Sequence, residues 1–238
     1  MNGSIKPGVT DPGKRTKAAL PEKKTVFVVD DYPVLTRILG NIIAEQGYEV
    51  HTAFSGSECI EKLISLRPDL IILDIFMEPM DGMETLRRIR EDPSTCDIPV
   101  IILTAKQPTP ADVTAYSERI DDYIMKPVLS DYLVRTLSGF FERRKQSEEI
   151  IQEAGQAGID PGLVNEYIKL SRDIYLLHRF FRHLDIPLST GDTKLSSKED
   201  TELWLDHINH EILVKEKRFR EINDILESNN VLRHTNTM

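Results

Sequence analysis

The chain has 238 residues, long enough for one large domain or two modest ones, and an apolar fraction of 40% suffices for a packed core. A formal charge of −9 argues against a nucleic-acid binder driven by bulk electrostatics, because phosphate contacts need clustered Lys and Arg. Cys59 and Cys96 build no disulfide framework, no apolar run reaches the roughly 18 residues of a membrane span, and no signal-peptide pattern opens the chain. These features predict a soluble protein of the cytoplasm.

Residues 1–22 are rich in Gly, Pro and Lys and poor in apolar side chains, so they read as a disordered tail. From Lys24 the pattern alternates strand and helix. Val26 to Val29 runs into Asp30-Asp31, and Pro33 fits the first turn of a helix with Leu35, Ile38, Leu39, Ile42 and Ile43 at helical spacing. Gly47 ends that helix. Tyr48 to Ala53 is a more polar strand and belongs at an edge. Ser55 or Ser57 caps the next helix, with Ile60, Leu63 and Ile64 facing inward. Leu70 to Leu73 is a fully apolar strand ending in Asp74, a helix spans about Met83 to Glu91, and Val100 to Leu103 runs into Thr104. A short helix near 112–117 leads to Tyr123-Ile124-Met125, which ends in Lys126-Pro127. Five βα units of this length predict a doubly wound α/β domain with a five-stranded parallel sheet of order 2-1-3-4-5.

The second half reads as helical. A helix starting near Ser130 continues toward Ile151, and Gly155 and Gly158 predict a break, making 152–160 a linker or turn. Asp160-Pro161 fits an N-cap followed by proline at the first helical position. Leu163, Tyr167, Leu170, Ile174, Leu177, Phe181 and Leu184 then form a heptad seam, and Leu205, Ile208, Ile212, Phe219, Ile222 and Leu226 form a second, broken by Lys215. The predicted organisation is a tail over 1–22, an α/β domain over 23–146, a helix extension and linker over 147–160, and a coiled-coil-like helical hairpin over 161–238. Each seam must be buried, either by a homodimer formed through 161–228 or by packing on the extended helix of the same chain.

Parallel strands would bring Asp30, Asp31, Asp74, Thr104 and Lys126 to one rim, at the carboxyl ends where open α/β sheets place their chemistry. Two like charges 4 Å apart repel by roughly 4 kcal/mol at an effective dielectric of 20. Clustered carboxylates therefore call for a cation, and hard oxygen ligands favour Mg²⁺. With Lys126 and the Thr104 hydroxyl, the set suits a phosphoryl group carried on a carboxylate.

The segments VVDD at 28–31, LDIFMEPMDG at 73–82, ILTAK at 102–106 and DDYIMKP at 121–127 resemble the receiver domain of two-component response regulators, which adopts the flavodoxin-like fold. The resemblance covers about Lys23 to Arg144. It implies that Asp74 is the phosphoacceptor for a sensor histidine kinase. It also implies that Asp31, Asp74 and the Phe76 backbone carbonyl ligate Mg²⁺, that Asp30 acts on the metal through water, and that Lys126 pairs with the phosphoryl group. Thr104 and Tyr123 would form the switch pair. One departure puts the loop path in question: Glu78 stands where the family usually has proline, and Pro79 follows.

The expected function is a phosphorylation-controlled regulator whose helical region oligomerises or binds a downstream protein. The alternative is a transcription factor with a cryptic DNA-binding helical domain, although the cluster Lys215, Lys217, Arg218 and Arg220 is interrupted by Glu216 and Glu221. No catalytic constellation follows Phe141, so no enzymatic output is expected.

Overall fold

The computed structural model describes residues 23–105, 119–184 and 198–232; the expected tail, the helix near 112–117, Lys106 and the loop 187–197 lie outside them. The purely apolar runs form the central strands. In β3 (Leu70–Asp74) and β4 (Val100–Thr104) every residue is buried. β1 (Thr25–Val29) and β5 (Asp122–Met125) flank them, and the polar β2 (Glu49–Ala53) is the edge beside β1, as its composition predicts. All neighbours are parallel, in the order β2-β1-β3-β4-β5. The alternation of side chains along each strand splits the core into two layers. Val26, Val28, Leu70, Ile72, Ile101 and Leu103 pack with α1 (Pro33–Glu45) and the first half of α4 (Ser130–Ala157). Phe27, Val29, Ile71, Leu73 and Ile102 face α2 (Gly56–Leu63) and α3 (Gly82–Glu91).

Local signals account for the helix boundaries. Ser55 caps α2 by accepting from the Glu58 amide at 3.1 Å, and Glu58 reaches back to the Phe54 amide at 2.7 Å. Asp81 caps α3 through the Glu84 amide at 2.7 Å. Two expected core positions are exposed instead: Ile64 is the residue on which α2 ends, past the last inward turn, and Ile38 lies on the outer shoulder of α1.

The expected break at Gly155 does not occur. α4 runs unbroken from Ser130 to Ala157, the packing of Ile150 and Ala154 against the helices that follow outweighing the cost of a helical glycine. Gly158, at φ 72°, ends the helix in the left-handed conformation, and the Ile159 amide donates to the Ala154 carbonyl at 3.0 Å. The connection to α5 (Pro161–Leu184) is therefore short, with the Asp160 carboxylate accepting from the Leu163 amide at 3.2 Å.

α5 and α6 (Lys198–Ser228) pair as an antiparallel hairpin, and the hairpin packs on its own chain. Tyr167 and Val164 of α5 meet Ile222 and Leu226 of α6 and Ile150 and Ala154 of α4 in a third core. Lys215, which breaks the second seam, ion-pairs at 3.0 Å with Asp173, whose side chain is buried in the facing helix. Leu176, Leu177 and Phe180 of α5 with Ile208 and Ile212 of α6 join the core on the α2 and α3 side of the sheet. This packing within the chain buries much of both seams.

Candidate functional site

The carboxyl ends of β1 and β3 deliver the expected acids to one place. Ligand oxygens of Asp30, Asp31 and Asp74 all lie within 4.8 Å of one another. Asp30 is fully buried, and its Oδ1 accepts from the Tyr32 amide at 2.8 Å. Asp31 is exposed, and its Oδ2 accepts from the Glu78 amide at 3.3 Å. Lys126, delivered by the end of β5, bridges the pair behind them: its Nζ lies 2.8 Å from Asp30 Oδ2 and 2.8 Å from Asp74 Oδ2. Those two bonds raise the lysine's pKa even though burial works against its charge.

Asp74 is only partly satisfied. Lys126 holds its Oδ2 and the Phe76 amide lies near the carboxyl, but the buried Oδ1 has no partner at hydrogen-bond geometry among the described residues. Burial pushes its carboxyl above the usual carboxylate range despite Lys126 beside it, and the neighbouring Asp30 charge adds to the shift. An orphaned acceptor next to two further carboxylates is the surrounding that a hard divalent cation or an incoming electrophile would complete. The donor set therefore fits Mg²⁺ by its chemistry.

The loop after Asp74 is held at both ends. The Gly82 amide donates to the Ile75 carbonyl at 2.9 Å, and a Cβ on Gly82 would stand 2.0 Å from the Asp74 carbonyl oxygen. Only glycine fits there. The Glu78-Pro79 peptide is cis, as is Lys126-Pro127. With Glu78 at the departing position, its amide still donates to Asp31 at 3.3 Å. Phe76 projects outward and is half exposed, whereas Met77 packs into the core. Thr104 ends β4 one residue beyond Leu103, the register partner of Asp74, and is buried. Burial pushes the Cys59 thiol up to about 12, in keeping with a small apolar core residue.

Tyr123 is where the two halves of the chain meet. Its ring is buried and stacks on Phe180 of α5, with centroids 4.6 Å apart and planes 6° from parallel. Its hydroxyl donates to the Arg179 carbonyl at 3.1 Å. The Arg179 side chain returns to β5: a guanidinium NH₂ donates to the Tyr123 carbonyl at 2.9 Å, and Nε lies 3.2 Å from Asp122 Oδ1. Asp122 Oδ2 also accepts from the Tyr175 hydroxyl at 2.9 Å and faces Arg143 at 3.6 Å. The Tyr132 hydroxyl closes the ring by accepting from Arg179. Burial pushes the Asp122 carboxyl up, with Arg179 opposing the shift.

Sequence reasoning named Tyr123 and missed Asp122, Tyr175, Arg179 and Phe180. The available signal was the apolar width of α5: Ile174, Leu176, Leu177, Phe180 and Phe181 cover more of the helix than one seam needs. Arg179 gave none.

Comparison with known proteins agrees with this geometry. The family described as response regulator receiver domain matches residues 26–138, and the family described as Metanogen output domain 2 matches residues 143–230. The transcriptional regulatory protein TrcR of Mycobacterium tuberculosis is 36% identical over 133 residues, covering 56% of this chain and 51% of that protein. The DNA-binding response regulator MtrA of Mycolicibacterium smegmatis is 30% identical over 138 residues, covering 58% of this chain and 59% of that protein. The chain thus spans about half the length of these curated relatives. The crystal structure of the N-terminal domain of a response regulator receiver protein from Methanoculleus marisnigri JR1 is 48% identical, covers 48% of this chain and 94% of that one, and has a TM-score of 0.43. No described helix is long and apolar enough to cross a membrane. With the acid cluster, the lysine and the strand order all in place, residues 26–138 are a response regulator receiver domain, followed by a helical region that matches the Metanogen output domain 2 family.

Proposed function

We propose that the protein accepts a phosphoryl group on Asp74 from a sensor histidine kinase and passes the modified state to its helical output region. The observation that carries the reading is the unpartnered, buried Asp74 Oδ1 beside Asp30, Asp31 and Lys126. A carboxylate oxygen of Asp74 forms the new O–P bond as the bond to the donor breaks. Lys126 already contacts Asp74 and is placed to neutralise a phosphoryl oxygen, and the Thr104 hydroxyl is the neighbouring donor. Asp31, Asp74 and the Phe76 carbonyl would hold Mg²⁺, with Asp30 behind them; when bound, the ion supplies positive charge against the oxygens of the transferring group.

The output half of the proposal rests on Tyr123. Phosphorylation adds negative charge and acceptor oxygens at Asp74. Thr104 moves toward them, and Tyr123 turns into the space left, breaking its hydroxyl bond to Arg179 and its stack on Phe180. The packing of the hairpin on β5 is thereby loosened while the Asp122–Arg179 pair stays in place, and the hairpin presents surface to a downstream protein. The output is non-enzymatic and acts by protein binding.

The test is labelling with a small acyl phosphate in the presence of Mg²⁺. The parent protein should gain one acid-labile phosphoryl group and Asp74→Asn none; equal labelling of the variant refutes the assignment. Asp31→Ala should weaken Mg²⁺ binding, and unchanged affinity counts against the metal site.

A further inference from the structure

Asp31 is the least secured member of the acid cluster. Asp30 and Asp74 are buried and share Lys126, whereas Asp31 is exposed and pairs with no cation among the described residues. Its carboxylate takes one hydrogen bond there, from the Glu78 amide to Oδ2 at 3.3 Å, between residues 47 apart in the chain. That bond ties the loop after β1 to the loop after β3, and the three acids come from the ends of the same two strands.

The donor exists because of the departure at Glu78. The receiver family usually has proline at this position, and proline has no N–H to give. The backbone that presents the amide is fixed on both sides: Met77 before it is buried in the core, and beyond it Gly82 donates to the Ile75 carbonyl at 2.9 Å. The Glu78 side chain is exposed and forms no hydrogen bond or ion pair among the described residues, so the backbone is what meets the site. An exposed carboxylate loses rotational freedom when it takes a cation, and a group that already orients it removes part of that cost. Hydrogen bonds of this kind orient metal ligands, and their loss typically lowers metal affinity about 10–100-fold.

We propose that the Glu78 backbone amide is a positioning group for Mg²⁺, holding Asp31 through Oδ2 so that the carboxylate stands ready beside Asp30 and Asp74. The inference rests on the metal site proposed above. Because the bond is long and exposed, its loss should lower Mg²⁺ affinity only about fivefold, the worth of one ordinary hydrogen bond.

The experiment is calorimetric titration of Mg²⁺ into the full, unphosphorylated chain. Glu78→Pro, which removes the N–H, should bind the ion about fivefold more weakly than the parent. Glu78→Gln, which keeps the N–H and removes the exposed charge, should stay within about twofold, because salt screens that charge. Circular dichroism establishes that each variant is folded. Labelling by acyl phosphate should be slower in Glu78→Pro at limiting Mg²⁺ and equal to the parent at saturating Mg²⁺.

Equal affinity in Glu78→Pro and the parent overturns the inference while leaving the metal site standing. An equal loss in Glu78→Gln assigns the effect to the side chain and overturns it too, as does a labelling defect that persists at saturating Mg²⁺. No Mg²⁺ binding by the parent removes the metal site and this inference with it. Where Glu78→Pro does not fold, the Glu78 amide proton is read directly by nuclear magnetic resonance. It should lie downfield in the parent, with and without Mg²⁺, and move upfield in Asp31→Ala. A resonance unmoved by Asp31→Ala, or one that returns upfield when Mg²⁺ is added to the parent, overturns the inference.

Discussion

Two buried aspartates, Asp74 and Asp122, belong to one sheet, at the end of β3 and the start of β5 with β4 between them, and they differ in how completely they are partnered. Asp74 shares one lysine with Asp30 and keeps an oxygen with no partner among the described residues. Asp122 has Arg179, Arg143, the Tyr175 hydroxyl and the Tyr123 amide around its two oxygens. The first cluster is short of positive charge and hydrogen-bond donors; the second is saturated. An unfilled acid cluster invites a cation and an electrophile, whereas a filled one fixes two structural elements against each other. Tyr123 sits next to the filled cluster and stacks on Phe180 of α5, at the contact between the halves; under the proposed function it is the route by which chemistry at the unfilled site reaches that contact.

Removing the anion from the saturated cluster should have the largest effect. Asp122→Ala leaves Arg179 buried without its counter-ion, and taking one partner from a buried ion pair costs about 3–5 kcal/mol. Chemical denaturation of the full chain measures this, and Asp31→Ala, at an exposed position, should fall within about 0.5 kcal/mol of the parent. Comparable losses in the two variants would erase the distinction between the clusters.

Gly82→Ala comes next. The new methyl group would meet the Asp74 carbonyl and Ile75, and overpacking of this kind costs about 1–3 kcal/mol. It should also lower phosphorylation by acyl phosphate, because the backbone that must yield carries Asp74. Normal labelling with a stability loss would show that the loop and the acid are not mechanically joined.

Lys215→Met probes a pair with partial exposure. Asp173 keeps Arg172 at 3.2 Å, and the Lys215 side chain is partly solvated, so a loss of about 1 kcal/mol is expected. A gain in stability would mean that this pair serves hairpin register at the expense of stability.

Asp74→Asn should act in the opposite direction from Asp122→Ala. The folded-state pKa of Asp74 is raised above the ordinary 3.8, so the folded protein binds that proton more tightly than the unfolded chain does. Its favourable contribution is present below 3.8 and is lost as pH rises through the raised value. At about pH 7 the ionised, poorly solvated carboxylate therefore costs stability. In metal-free buffer the Asn variant should melt higher than the parent at neutral pH, and the gap should close on acidification toward 3.8. A gap independent of pH would show that Asp74 is not the group responsible.

The sequence made the receiver half legible because its chemistry is local. An acid at the end of an apolar strand, a lysine before a proline and a glycine at fixed distance each occupy a few residues, and parallel pairing brings the strand ends together. The helical half was legible only in part. Period and caps placed α5 and α6, but a heptad seam names one buried stripe, and α5 buries a second one carrying Leu176, Arg179 and Phe180. Arg179 carried no signal in the sequence because its partner, Asp122, is 57 residues away in the chain. Gly155 misled for a related reason: a glycine inside a helix costs only about 1 kcal/mol, which packing of Ile150 and Ala154 on the hairpin outweighs.

The central claim is that the phosphorylation state of Asp74 reaches the hairpin through Tyr123 and Arg179. The most direct measurement is amide hydrogen exchange over Tyr175 to Arg182, with and without phosphorylation, in the parent and in Thr104→Ala. A coupling of about 1–3 kcal/mol corresponds to a 5- to 150-fold change in population. The parent should exchange faster across this segment when phosphorylated, while Thr104→Ala should accept phosphate and change little. Identical protection in both states of the parent would mean that the hairpin is fixed to the receiver and that its contact with Tyr123 carries no signal.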